Sequence, residues 1–187
     1  MAAIIERVGP FRMQYREPVF HTLVRSIVYQ QLHGKAALTI FNRLIAAAKS
    51  DPLTPEAILK LRPARMRAAG LSTQKLKYIR DLARKARDGD VSFDGLHSLE
   101  DAAVIEHLTQ VKGIGVWTVH MFLMFALKRP NVLPTGDLGV RAAMKKAYGL
   151  EELPKPAEME RIAQAWRPYC SVASWYLWRS LENQGAM

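Results

Sequence analysis

The strongest constraint on this fold is the spacing of its apolar residues, which recur three and four apart along almost the whole chain. No segment alternates at period two, so a sheet has no pattern to form on. The spacing predicts an all-α protein. Pro18 opens a helix whose inner face is Val19, Phe20, Leu23, Val24, Ile27 and Val28, and Gly34 interrupts it. A second helix runs through Ala37, Ile40, Phe41, Leu44 and Ile45. Thr54-Pro55 caps a short helix to Leu61, Pro63 restarts the chain and Gly70 stops it. Ser72 caps a long helix with Leu76, Ile79, Leu82 and Ala86 inward. Its other face, carrying Lys75, Lys77, Arg80, Arg84, Lys85 and Arg87, reads as solvated.

Ser98, with Asp101 three residues on, reads as an approximate capping box for a helix through Val104, Ile105 and Leu108. Val111-Lys112-Gly113-Ile114-Gly115 leads into an apolar helix ending at Leu127. Pro130 and Pro134 bracket an extended loop, and Asp137 starts a helix that Gly149 terminates. Two last helices run from about Pro156 to Trp166 and from Pro168 to about Glu182. There is no internal repeat and no long linker. The segment Asp88–Gly95 is the expected boundary between two lobes of one domain spanning residues 1–187.

Composition narrows the function. With 187 residues, 49% of them apolar, the chain can build a proper core. A formal charge of +10 favours a polyanionic partner, nucleic acid or an acidic membrane surface, without choosing between them. Cys170 is the single cysteine, which rules out an internal disulfide and a cysteine-rich zinc or iron–sulfur site and suits a reducing interior. The first residues have no signal-peptide pattern. The most apolar stretch, Val116–Leu127, is too short to span a bilayer. No membrane association is expected.

The turn at 111–115 is the first motif with chemistry in it. Gly113 and Gly115 permit a tight turn and leave backbone N–H groups uncovered at the N-terminus of the next helix. There the helix dipole also favours an anion, and a DNA phosphate can approach the main chain. A plain αα turn with glycines for geometry accounts for the motif equally well. Asp137, taken alone, reads most simply as an ordinary N-cap.

Four blocks in order change that balance. Val111-Lys112-Gly113-Ile114-Gly115-Val116-Trp117-Thr118 resembles the hairpin of the helix-hairpin-helix DNA glycosylases. Leu133-Pro134-Thr135-Gly136-Asp137-Leu138-Gly139-Val140-Arg141 resembles their Pro-x-x-Asp segment. Trp166-Arg167-Pro168-Tyr169, with Ala173, Trp175, Tyr176, Leu177 and Trp178, is similar to the C-terminal segment of the alkylpurine branch, and Ser26–Ala37 to its wedge region. The chain is thereby identified as a member of the 3-methyladenine (alkylbase) branch, in a short form without an N-terminal β-domain. The resemblance implies two helical lobes with a central cleft.

It further implies a monofunctional glycosylase that hydrolyses the N-glycosidic bond of 3-methyladenine and 7-methylguanine in double-stranded DNA, for base excision repair. Asp137 falls on the catalytic aspartate, at a helix start that favours its negative charge. There it would stabilise the oxocarbenium-like sugar or position a water. Trp117 and Trp178 fall on base-pocket positions, where aromatic faces attract a cationic alkylated base. Core packing is the simpler reading of each indole alone. Met121 and Leu138 stand at two other pocket positions where some relatives carry tyrosine.

Gln31, Leu32 and His33 match the segment that enters the minor groove and holds the gap of an extruded base. The backbone carbonyls of Thr109, Val111 and Ile114 match a site for a monovalent cation, Na⁺ or K⁺; no cofactor is otherwise required. Trp117 stands where bifunctional relatives carry a Schiff-base lysine, so no lyase activity is expected. Cys170 stands where arginine is frequent, and reads as a small packed thiol. The implied protein is a monomer working inside the cell, in the cytoplasm or nucleoid. The alternatives are a damage-binding module of weak or no catalysis, which has no need of Asp137, and a glycosylase for oxidised or mismatched bases.

Overall fold

The computed structural model describes residues 1–182. Every regular element among them is helical. The helices are α1 (Ala2–Val8), α2 (Phe20–Tyr29), α3 (Gly34–Ala48), α4 (Pro55–Lys60), α5 (Pro63–Ala68), α6 (Thr73–Asp88), α7 (Asp101–Thr109), α8 (Val116–Phe125), α9 (Leu138–Tyr148), α10 (Pro156–Ala163) and α11 (Cys170–Glu182). Short 3₁₀ turns occupy Leu96–Ser98 and Gln164–Trp166. Among the described residues no helix is long and apolar enough to cross a membrane.

The chain forms two compact units. One comprises Met1–Tyr15 and the residues from Leu123 onward; the other is Arg16–Phe122. The expected boundary at Asp88–Gly95 is therefore incorrect: that segment lies inside the second unit, and the chain changes unit within α8. A glycine-rich break between helices marks only a turn. It says nothing about which helices share a core.

In the first unit α11 packs on α9 and on α1. Leu133, Val140, Met144, Met159, Trp166, Cys170 and Leu177 form its core. The amino-terminal helix α1 carries no fully buried residue; Ile4, with Met1 before it, packs against this core, a stripe too short to stand out in the sequence. In the second unit α6 packs on α4 and α2, burying Leu23, Ile27, Ile58, Ile79 and Leu82. Three starts follow the capping pattern: Thr54, Ser72 and Asp137 each accept the backbone N–H three residues on. Ser98 does not. It closes a 3₁₀ turn, and α7 begins at Asp101 behind Glu100, which makes no side-chain cap. Gly34 does not interrupt the helix before it, which already ends at Tyr29 with Gln30 as its C-cap; it is instead the first residue of α3.

Candidate active site

The predicted site residues are divided between the units. Asp137, Leu138 and Trp178 belong to the first. Gln31, Leu32, His33, Thr109, Val111, Gly113, Ile114, Gly115, Trp117 and Met121 belong to the second.

In the first unit the loop before α9 is pinned from α11. Ser171 Oγ donates to the Arg129 carbonyl over 2.6 Å and accepts from Val132 N–H over 3.0 Å. Its own N–H donates to the Pro130 carbonyl. The Asp137 N–H then turns back onto the Pro134 carbonyl over 2.9 Å, so the aspartate enters α9 in an extended N-cap conformation. Its Oδ1 accepts the Val140 N–H over 2.8 Å and the Trp178 Nε1–H over 2.8 Å. The residue is 8% exposed. Two N–H donors thus fix one carboxylate oxygen at the N-terminus of a helix. The Trp178 ring, half-buried, stacks on Phe125 with centroids 6.0 Å apart. Leu138, next to Asp137, is 65% exposed.

In the second unit the hairpin joins α7 to α8. Gly113 has φ +81°, and a Cβ there would lie 2.1 Å from Tyr78 Cδ2. Only glycine fits, because the Tyr78 ring occupies the side-chain space. The positive φ fits the tight turn expected from the sequence, and packing against α6 is a second reason for glycine here. Gly115 is different, since a Cβ there would meet nothing within 4 Å. The turn is held from outside: Asp81 Oδ2 accepts the Lys112 N–H over 3.0 Å, and Gln30 Nε2 donates to the Gly113 carbonyl over 2.9 Å. Gln30 is itself placed by Lys75, whose ammonium donates to the Val28 and Gln30 carbonyls over 2.7 Å each. Lys75 is thus no part of a solvated face. Burial lowers its pKa from the ordinary lysine value.

Beyond Gln30 the chain makes an exposed tip. Gln31 takes a left-handed conformation at φ +56°, and Leu32 and His33 are exposed with it. Trp117 is 45% exposed, so core packing does not explain it; Met121, one turn on, is half-buried. The three carbonyls suggested for a cation fit one in kind. Thr109 ends α7, where carbonyls run out of intrahelical donors. The Val111 carbonyl accepts the Ile114 N–H over 3.1 Å and keeps a second lone pair. Neutral carbonyl oxygens suit an alkali ion. No cluster of three metal-ligating side chains occurs among the described residues. Cys170 is buried, and burial pushes its thiol up, away from nucleophilic use.

Asp81, Tyr78, Lys75 and Ser171 are the structural partners that sequence reasoning missed. Asp81 had a signal: an acidic residue beside the apolar stripe of α6, between Ile79 and Leu82. The others had none, because their partners lie 35 to 47 residues away or in an irregular loop.

A family model described as HhH-GPD superfamily base excision DNA repair protein matches residues 24–168. The chain is 34% identical over 183 residues to DNA-3-methyladenine glycosylase 1 of Schizosaccharomyces pombe, covering 95% of this chain and 80% of that one. The solved structure of the S. pombe 3-methyladenine DNA glycosylase in complex with abasic DNA matches with a TM-score of 0.86 and 32% identity, over 100% of this chain and 93% of that one. A DNA-3-methyladenine glycosidase from Bacillus halodurans matches with a TM-score of 0.87 and 36% identity, over 98% of this chain and 86% of that one.

Proposed function

The chain belongs to the HhH-GPD superfamily of base excision DNA repair proteins, and from that premise we propose that it is a DNA glycosylase removing alkylated purines, 3-methyladenine first and 7-methylguanine second. The observation that carries this reading is the Asp137 carboxylate, held by the Val140 and Trp178 N–H groups at a helix start.

Alkylation leaves the purine cationic. As the C1′–N bond breaks, its electron pair goes to the base, which departs neutral, and positive charge moves to the sugar. Asp137 stabilises that charge by electrostatic attraction from a position fixed beforehand. Water then forms the new C1′–O bond and loses a proton to solvent. The product is an abasic site with the strand intact. Trp117, at the position of a lyase lysine, offers no amine, so no Schiff base forms and the enzyme is monofunctional.

The remaining residues are assigned roles around that step. The exposed Trp117 face receives the cationic base by cation–π attraction, with Met121 one turn on; Leu138, exposed next to Asp137, is assigned to base recognition as well. Trp178, whose N–H is engaged by Asp137, supports the carboxylate as well as the pocket. The tip at Gln31, Leu32 and His33 enters the minor groove of double-stranded DNA once the nucleotide is extruded. The main chain at Gly115, open to 4 Å, takes a phosphate. A Na⁺ or K⁺ ion on Thr109, Val111 and Ile114 would add positive charge beside it; no other cofactor is needed. The protein works as a monomer on DNA inside the cell.

The test is a duplex carrying one alkylated purine. Incubation with the protein should create alkali-labile abasic sites and no strand breaks before alkali. Breaks without alkali would contradict the monofunctional reading. Tight binding of the lesion with no abasic product would leave a damage-binding module instead.

A further inference from the structure

Gly139 has no need of glycine's backbone freedom. It is the second residue of α9, its φ lies outside the left-handed region, and alanine is the better helix former there. What glycine supplies is space. A Cβ at position 139 would lie 3.1 Å from Asp137 Oδ1, 3.1 Å from Trp178 Cδ1 and 3.3 Å from Trp178 Nε1. All three are closer than ordinary carbon contacts. The crowded atoms belong to the two partners of the 2.8 Å bond between indole and carboxylate. Asp137 is also tied to Val140 N–H, and the Trp178 ring lies on Phe125, so neither partner is loose.

We propose that Gly139 is a positioning residue for base excision: its missing side chain lets the Trp178 N–H reach Asp137 and fix the carboxylate's orientation. The inference rests on Asp137 being the catalytic carboxylate. It predicts an unusual substitution, Gly139→Ala, that favours the helix while harming the reaction. A residue kept only for folding would show the opposite.

The experiment compares single-turnover excision from a 7-methylguanine duplex by the parent, Gly139→Ala, Trp178→Phe, their double variant and Asp137→Asn. Affinity for a duplex with an abasic analogue and the thermal midpoint are measured alongside. Gly139→Ala should excise about ten- to a hundredfold more slowly, the scale of losing one hydrogen bond to a charged group. Its affinity should stay at the parent's level, and its thermal midpoint should fall no further than that of Trp178→Phe, which loses the same bond. Trp178→Phe keeps a ring and removes the N–H without adding an atom, so it should fall by a similar factor. The double variant should be no slower than the slower single variant.

A parent-like rate for Gly139→Ala or for Trp178→Phe, with Asp137→Asn inactive, overturns the positioning role and leaves the catalytic assignment standing. Losses that multiply in the double variant also overturn it, because Gly139 would then act other than through the indole. An Asp137→Asn protein as fast as the parent removes the assignment on which the inference rests.

Discussion

Trp178 donates its indole N–H to Asp137 Oδ1 over 2.8 Å, and the same oxygen caps α9 by accepting the Val140 N–H. About two turns earlier on α11, Ser171 holds the loop that leads to the aspartate. Positions 171 and 178 are seven apart, which places them on one face of a helix. A single helix face therefore fixes the carboxylate at one end of its loop and the loop's beginning at the other. Replacing Ser171 with alanine leaves the Val132 N–H without its acceptor in a buried place and should cost about 1–3 kcal/mol. Denaturant unfolding measures this, and excision should slow as the loop loosens. Unchanged stability would contradict the pinning.

The two hairpin glycines should respond differently. Gly113→Ala meets a left-handed φ and the Tyr78 ring at once, and should lose roughly 2 kcal/mol or more of stability. Tyr78→Ala in the same protein should recover part of that by relieving the contact. Gly115→Ala has open space and should change stability by less than about 0.5 kcal/mol. It should weaken DNA binding, because the added methyl stands where the phosphate contact is proposed. Equal stability losses at the two positions would contradict this division of labour.

Lys75 should matter far more than its neighbour on the same helix. Its ammonium closes the carbonyl end of α2 with two bonds, whereas Lys77 is exposed. Lys75→Met should destabilise by about 1–3 kcal/mol, and Lys77→Met by less than about 0.5 kcal/mol. Because Gln30 holds the Gly113 carbonyl, loosening it should also weaken DNA binding. Chemical denaturation and a binding titration report the two effects separately.

Stability should fall as the pH drops below about 6.5, the ordinary histidine value. Burial lowers the pKa of His21, with Asp51 opposing and Arg25 reinforcing the shift, and its Nδ1 accepts the Leu53 N–H over 3.0 Å. Burial likewise lowers that of His120 against the pull of Asp101. Above 6.5 neither folded nor unfolded chain protonates these rings. Below it the unfolded chain takes protons that the folded chain refuses, so unfolding is favoured. Replacing both histidines with glutamine should flatten the dependence between about pH 6.5 and 5, before carboxylates titrate. An unchanged slope would remove these rings from the acid response.

The elements legible in the sequence were those governed by local rules. Thr54, Ser72 and Asp137 announced helix starts because the capping bond spans three residues. Ser98 misled because the same local pattern also suits a 3₁₀ turn. The grouping of helices into units was illegible, since the chain changes unit inside the uninterrupted apolar helix α8 and not at the glycine-rich Asp88–Gly95 turn. Asp137 and Trp178 were singled out through the family resemblance, but the bond joining them spans 41 residues and no spacing rule reveals it. Gly113 was noticed for the tight turn, which its φ of +81° fits, but its second reason was hidden, because Tyr78 lies far away in the sequence. Gly139 passed unremarked inside a motif, since its importance lies in an absent atom between two other side chains.

The most direct measurement is the single-turnover rate of Asp137→Asn on a duplex with one alkylated purine. The amide oxygen can still accept from Val140 N–H, so the variant should fold with a thermal midpoint near the parent's and bind the duplex. Without the negative charge, excision should fall by about two to three orders of magnitude. A variant that folds, binds and excises at the parent's rate would contradict the account at its centre.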